Sequence, residues 1–235
     1  GIKEQQKEID AIVNSKEPAT FENTIVTLDN SGGLLSKVAS VFYNLSSTDT
    51  NDTLQKIAQD LAPKMSEHSD NINLNEALFK RVKKVYDDYS IGGNEKTPLT
   101  TEQKMLLDNT YKRFVRSGAN LSSTDKDKLR KLNSELSLLN LKYGDNLLAE
   151  TNAYELVIDK KEDLAGLPAE IIEAAAVEAK AKGKEGKWVF TLSNSSVMPF
   201  LQYSSNRDLR QTLWNAYQKR GNNDNQYDNK EVVKQ

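Results

Sequence analysis

Apolar positions along the first 150 residues recur at spacings of three and four, the period of a helix face. Ile2, Ile9, Ile12 and Val13 form the first such face, and Pro18 stops it, because proline brings no N–H to a continuing helix. Phe21, Ile25, Leu28, Leu35, Val38, Phe42 and Leu45 then hold helical register through Gly32 and Gly33. Two glycines inside a helix cost about 1 kcal/mol each. Their presence predicts either the close approach of a second helix or a break between two shorter helices. Asp52 or Thr53 opens the next helix, whose face is Leu54, Ile57, Leu61, Met65, His68 and Ile72. A further helix over Asn75–Tyr89 presents Leu78, Val82, Val85 and Tyr89, with Gly92 and Gly93 ending it. Thr100 and Gln103 have the spacing of a capping box, ahead of Leu107, Tyr111, Phe114, Val115 and Gly118. Ser122 or Ser123 starts the longest element. Its stripe of Leu129, Leu132, Leu136, Leu139, Tyr143 and Leu147 is read as a core-facing side.

After Asn152 the pattern changes. Residues 154–158 and 187–192 are each short, apolar and rich in β-formers, and predict two strands that pair antiparallel. Between them Leu167 and Pro168 open an alanine-rich helix through Ala181. Helical segments follow at Met198–Tyr203 and Asn206–Lys219. A last helix is expected to start near Asp224 and to be still running at Gln235, the look of a longer chain cut within an element. The expectation is a mainly α, multi-helical fold with two short strands. It divides into a helical domain, residues 1–152, and a strand-helix-strand-helix segment, residues 153–235.

Charge narrows the function. There are 32 basic and 34 acidic residues, a net charge of -2. Nucleic acid demands a dense basic face to neutralise phosphates, so neither it nor an anionic membrane surface is an expected partner. No apolar run is long enough to span a bilayer. No signal-peptide pattern is visible, but a sequence starting within a longer one would hide it, and the compartment is read as cytoplasmic or periplasmic. The absence of cysteine removes disulfides, thiolate zinc sites and cysteine nucleophiles.

Candidate chemistry is sparse. His68 is the single histidine. A catalytic zinc takes three protein ligands, mostly histidines, and a Ser-His-Asp triad needs a placed serine, for which no glycine-framed elbow is present. His68 is therefore read as a packed or capping residue, and no catalytic or metal-ligating residue is assigned. Asp87-Asp88 and Glu162-Asp163 are paired carboxylates without an acid-base partner pattern. Asn222-Asn223-Asp224-Asn225 lacks the glycine and glutamate of a calcium loop and reads as a loop with a helix N-cap. Lys126, Lys128, Arg130 and Lys131 alternate with Asp125 and Asp127, as on a solvated face. Arg207, Arg210, Trp214 and Tyr217 fall on one helical face, with Arg220 nearby. They suit ordinary packing and ion pairs better than a wall that meets a peptide carboxylate or a neighbouring domain. Trp214, Tyr217, Tyr227 and Val232 are expected to be unusually exposed if the chain is part of a larger protein.

Several segments together carry a resemblance. They are Pro18-Ala19-Thr20-Phe21-Glu22-Asn23-Thr24-Ile25, His68-Ser69-Asp70-Asn71-Ile72, Phe114-Val115-Arg116-Ser117-Gly118-Ala119, Leu164-Ala165-Gly166-Leu167-Pro168 and Arg207 with Leu209-Arg210, Ala216-Tyr217 and Arg220-Gly221. In this order they resemble the front of the thimet oligopeptidase family, its peptidyl-dipeptidase branch in particular. The resemblance implies a largely helical half of a much longer zinc metallopeptidase, in which two halves flank a deep channel. The intact protein would release C-terminal dipeptides from oligopeptides, with zinc as cofactor. Its partner here would be a C-terminal catalytic domain carrying a His-Glu-x-x-His helix. No residue of this chain matches that motif, so no zinc ligand or general base carries over. The alternative is a self-standing helical binding domain without catalysis.

Overall fold

The structure, a computed structural model, describes residues 1–90 and 98–235. Gly92 and Gly93, read above as a helix end, lie outside the described residues. The fold is mainly α with one two-stranded antiparallel sheet. It divides into two compact units, Gly1–Leu138 and Leu139–Gln235.

In the first unit α1 (Ile2–Val13) buries Ile9 and Ile12, three apart on one face. Thr20 then caps a π-wound turn, Phe21–Val26. Its Oγ1 accepts from the Asn23 N–H at 3.1 Å and Asn23 Oδ1 accepts from the Thr20 N–H at 2.9 Å. The turn runs into α2 (Thr27–Asp29), burying Phe21, Ile25 and Leu28. Arg81 fastens the link between α1 and this turn, donating to the Glu17 carbonyl at 3.1 Å and to Asn23 Oδ1 at 3.2 Å.

At Gly32 the chain breaks into two helices and a neighbour also comes close, so both readings of the glycine pair hold. Gly32 has φ 77°, and a Cβ there would lie 2.3 Å from the Gln5 side-chain amide. Its N–H donates to Glu8 Oε2 at 2.7 Å. The next helix, α3 (Gly33–Thr48), contains no buried residue.

Asn51 caps α4 (Asp52–Asn73) through the Leu54 N–H, at 3.0 Å. Leu78, Val82 and Val85 of α5 (Glu76–Ser90) are buried against Ile9, Phe21 and Ile25. The Thr100–Gln103 capping box forms and starts α6 (Thr101–Arg116), which adds Leu107 and Phe114 to the same core. Tyr111 of α6 stacks on Tyr86 of α5 with ring centres 3.9 Å apart.

The longest helix, α7 (Ser123–Ala153), does not bury the leucine stripe. Leu132, Leu136 and Tyr143 are exposed, Leu129, Leu139 and Leu147 are half-buried, and the only buried residue of α7 is Glu150. Polar contacts hold its first turns instead: Asn133 donates to Asp70 Oδ1 at 2.7 Å and Arg130 to Asn71 Oδ1 at 2.8 Å. An apolar stripe marks a face that prefers cover, without saying that cover is present.

In the second unit β1 (Leu156–Ile158) and β2 (Trp188–Phe190) pair in the register Leu156↔Phe190, Val157↔Val189 and Ile158↔Trp188. Between them α8 (Ala169–Ala181) buries Ala175 and Ala179, small side chains that let the helix lie close to the sheet. Pro168 stands at its N-cap, where its missing N–H costs nothing. Phe190 meets Phe200 of α9 (Asn194–Tyr203) edge to face, and Leu213 of α10 (Arg207–Gln218) closes this core. The helix expected near Asp224 starts later, as α11 (Lys230–Lys234). Asp224 itself has φ 52°, a left-handed conformation that no helix accommodates.

The adjacent glycines of the α2–α3 break should respond in opposite directions. Gly32→Ala forces a side chain into a left-handed, filled position and should cost about 1–3 kcal/mol. Gly33→Ala meets nothing within 4 Å and sits in a helix, so it should be neutral or gain up to about 1 kcal/mol. Urea denaturation followed by circular dichroism measures both; equal losses would contradict the described break.

Candidate functional site

His68 is buried on α4, and its Nε2 donates to Gln5 Oε1 at 2.8 Å. Burial lowers its pKa, so the ring stays neutral through a wider range. Gln5 in turn donates to Ser31 Oγ at 3.3 Å. His68 therefore braces α4 against α1 as a packed residue.

The paired carboxylates separate into ordinary roles. Asp87 and Asp88 each accept an ion pair from the lysine one turn back, Lys83 and Lys84. Asp163 accepts from Asn206 Nδ2 at 2.9 Å, while Glu162 is exposed. Among the charges at the start of α7, Lys128 pairs with Asp125 at 2.9 Å.

The face expected on α10 splits in two. Arg207, Arg210 and Trp214, with Leu201 and Gln211, line an open groove of about 520 Å3. Arg210 also donates to the Ser204 carbonyl. Neither Arg207 nor Arg210 takes part in an ion pair among the described residues of this unit. Tyr217 turns elsewhere. Its hydroxyl donates to Asn194 Oδ1 at 3.0 Å, and the Arg220 guanidinium lies 3.9 Å from its ring centre. Of the four C-terminal residues expected to be exposed, only Trp214 is; Tyr217 and Tyr227 are half-buried and Val232 is buried. Val232 packs inward because α11 starts after a loop rather than at Asp224, which turns its neighbour Val233 to solvent instead.

Sequence reasoning missed the hub of that loop. Glu150 is buried, and its carboxylate accepts from the Gly221 N–H, from Asn223 Nδ2 at 2.8 Å and from Asn225 Nδ2 at 2.7 Å. Burial alone would raise its pKa, but the Gly221 N–H and the Asn225 and Asn223 amides outweigh it and hold the carboxyl below its usual range. The asparagine-rich run thus forms a loop, as read, but serves a distant carboxylate rather than a helix N-cap. Only the high asparagine density hinted at it.

Among the described residues no constellation suited to a zinc ion is found. The one histidine is committed to Gln5, there is no cysteine, and among the described residues no group of three or more His, Cys, Asp or Glu is placed to hold a metal. Among the same residues no helix is long and apolar enough to cross a membrane.

Known proteins add a frame for these surfaces. The chain is 36% identical over 99% of its length to dipeptidyl carboxypeptidase of Salmonella typhimurium, of which it covers 34%. It is 34% identical to dipeptidyl carboxypeptidase of Escherichia coli, across 95% of the chain and 33% of that protein. Against oligopeptidase A of Escherichia coli the identity is 27%, across 98% of the chain and 34% of the relative. The chain thus spans about a third of the length of the curated relatives it matches. No family model matches. The resemblance to the thimet oligopeptidase family read from the sequence is borne out by these homologues.

The Glu150 hub has a measurable worth. Glu150→Gln keeps the shape but puts an amide donor against donors, and should cost about 1–3 kcal/mol at neutral pH. The carboxyl is depressed in the folded state, so its contribution is present above the ordinary glutamate value of about 4.3 and is lost as pH falls through that value and below. Urea midpoints across this range should converge for the two proteins at the acid end. A gap between them that stays constant with pH would reject the role given to the carboxylate.

Proposed function

We propose, from the chain's homology to dipeptidyl carboxypeptidase and oligopeptidase A, that it is the non-catalytic front portion of a zinc metallopeptidase. The intact protein would release dipeptides from the C-terminus of oligopeptides, and this portion would form one wall of its substrate channel. The observation that carries the reading is the end-to-end match, 36% identity over 99% of this chain, to a third of a dipeptidyl carboxypeptidase. Zinc belongs, in this reading, to the part of the longer protein outside this chain, since the residues present here do not fit it.

The chain's contribution is then shape and recognition. Restricting a channel to short unfolded peptides needs a rigid wall, and the two closed apolar cores supply rigid bodies for it. The groove of Arg207, Arg210 and Trp214 offers guanidinium groups outside ion pairs beside an open indole. That pairing suits a peptide's carboxylates and apolar side chains. The other reading, a self-standing binding module, draws on the same two closed cores.

A dipeptide-releasing reporter separates them. The full-length gene product should cleave it, and a zinc chelator should abolish the cleavage. The 235-residue chain with added zinc should not cleave it. Chelator-sensitive cleavage by the 235-residue chain in a pure sample, or no dipeptide release by the full-length protein, would sink the proposal.

A further inference from the structure

The helix α3 is built against expectation. Leu35, Ala39, Phe42 and Ser46 form a half-buried face toward α1 and α4. One residue back on the helix, Leu34, Val38, Val41 and Leu45 repeat the same spacing and stand 49%, 59%, 63% and 49% exposed. These positions, at intervals of four, three and four, make one continuous aliphatic stripe. Val38 also lines an adjoining groove of about 420 Å3 with Ile2, Leu35, Phe42, Leu61 and Met65.

Three features say what covers this face. The first is charge. Lys37 is the only charged residue on α3. The outer faces of α5 and α6 instead carry lysine–carboxylate pairs one turn apart, Lys80 with Glu76, Lys83 with Asp87 and Lys112 with Asp108. This unit thus presents charge where it meets water, and depletion of charge marks the buried centre of a contact. The second is area. Four side chains about half exposed amount to a few hundred square ångströms, whereas a stable two-chain interface removes about 800 Å2 from each partner. A face this small suits a segment of the same polypeptide, whose covalent link supplies a high effective concentration. The third is length, because the chain spans about a third of the relatives it matches from end to end.

We propose that the Leu34–Val38–Val41–Leu45 stripe, with the adjoining groove, seats an apolar-faced helix from the part of the full-length protein that this chain lacks. The inference rests on the reading of this chain as part of a longer peptidase, and names the surface through which the first unit is held to the rest.

Site-specific thiol labelling tests it. Val41→Cys is placed in the full-length protein and in the 235-residue chain, which has no cysteine of its own. Each is reacted with a maleimide, and modification of that one peptide is followed by mass spectrometry. Val177→Cys, at an exposed position on α8 in the other unit, calibrates reactivity in both. Relative to Val177→Cys, the Val41→Cys thiol should react at least roughly tenfold more slowly in the full-length protein than in the 235-residue chain. Val38→Cys is read in parallel and decides the matter if Val41→Cys does not fold. Equal rates in the two proteins overturn the proposal. So does slow labelling in the 235-residue chain that quickens on dilution, which would make a second copy the occupant. Because the readout involves no substrate, a protected stripe in an inactive full-length protein would sink only the functional reading.

Discussion

The first unit turns on one crowded position. At Gly32 the Gln5 amide fills the space a side chain would take, the Glu8 carboxylate receives the backbone N–H, and the backbone goes left-handed. The helical register that buries Phe21, Ile25 and Leu28 cannot continue through such a point. The chain restarts in α3 with a new rotation, and Leu34, Val38, Val41 and Leu45 stand exposed. Gln5 also receives His68, so α1, the break and α4 meet around one side chain. The position of α3, and with it the outward stripe, follows from that junction.

Much of the fold was legible because its determinants are local. The Thr100–Gln103 box, the apolar runs of each strand, 156–158 and 188–190, and the core faces of α5 and α6 depend on residues within a few positions of one another. What was not legible depends on distant partners. Asn222–Asn225 is equally good at capping a helix and at turning a loop. A carboxylate more than seventy residues earlier decides between them. The leucine stripe of α7 and the outer stripe of α3 have the period of core faces, yet periodicity reports only which side is apolar. The α10 face divided for a similar reason: Tyr217 is drawn to Asn194 and Arg220, which spacing within one helix cannot reveal.

Two of the three ionisable groups buried among the described residues, His68 and Glu150, meet the cost of burial in opposite ways. His68 gives up its charge, since burial favours the neutral ring and a single carbonyl acceptor satisfies it. Glu150 keeps its charge, because a backbone N–H and two side-chain amides replace the water it lost. The surface pairs such as Lys80–Glu76 face no such choice, and exposed pairs of this kind contribute little to stability. The chain's near-balance of charge therefore lies mostly on solvated helix faces, while the buried His68, Asp70 and Glu150 each fasten a joint between distant segments.

The separation of Glu150 from its partners has a consequence for synthesis. The Gly221 N–H lies 71 residues further along the chain, and the Asn225 amide 75. At about 5–20 residues per second, a ribosome takes roughly four to fourteen seconds to deliver the first of these after Glu150 itself. Throughout that interval the end of α7 carries a carboxylate destined for burial with nothing yet to receive it, so it must stay hydrated. The closing of the 221–229 loop over Glu150 thus falls after the strands and α8 through α10 have been made, and works as a latch on the end of α7.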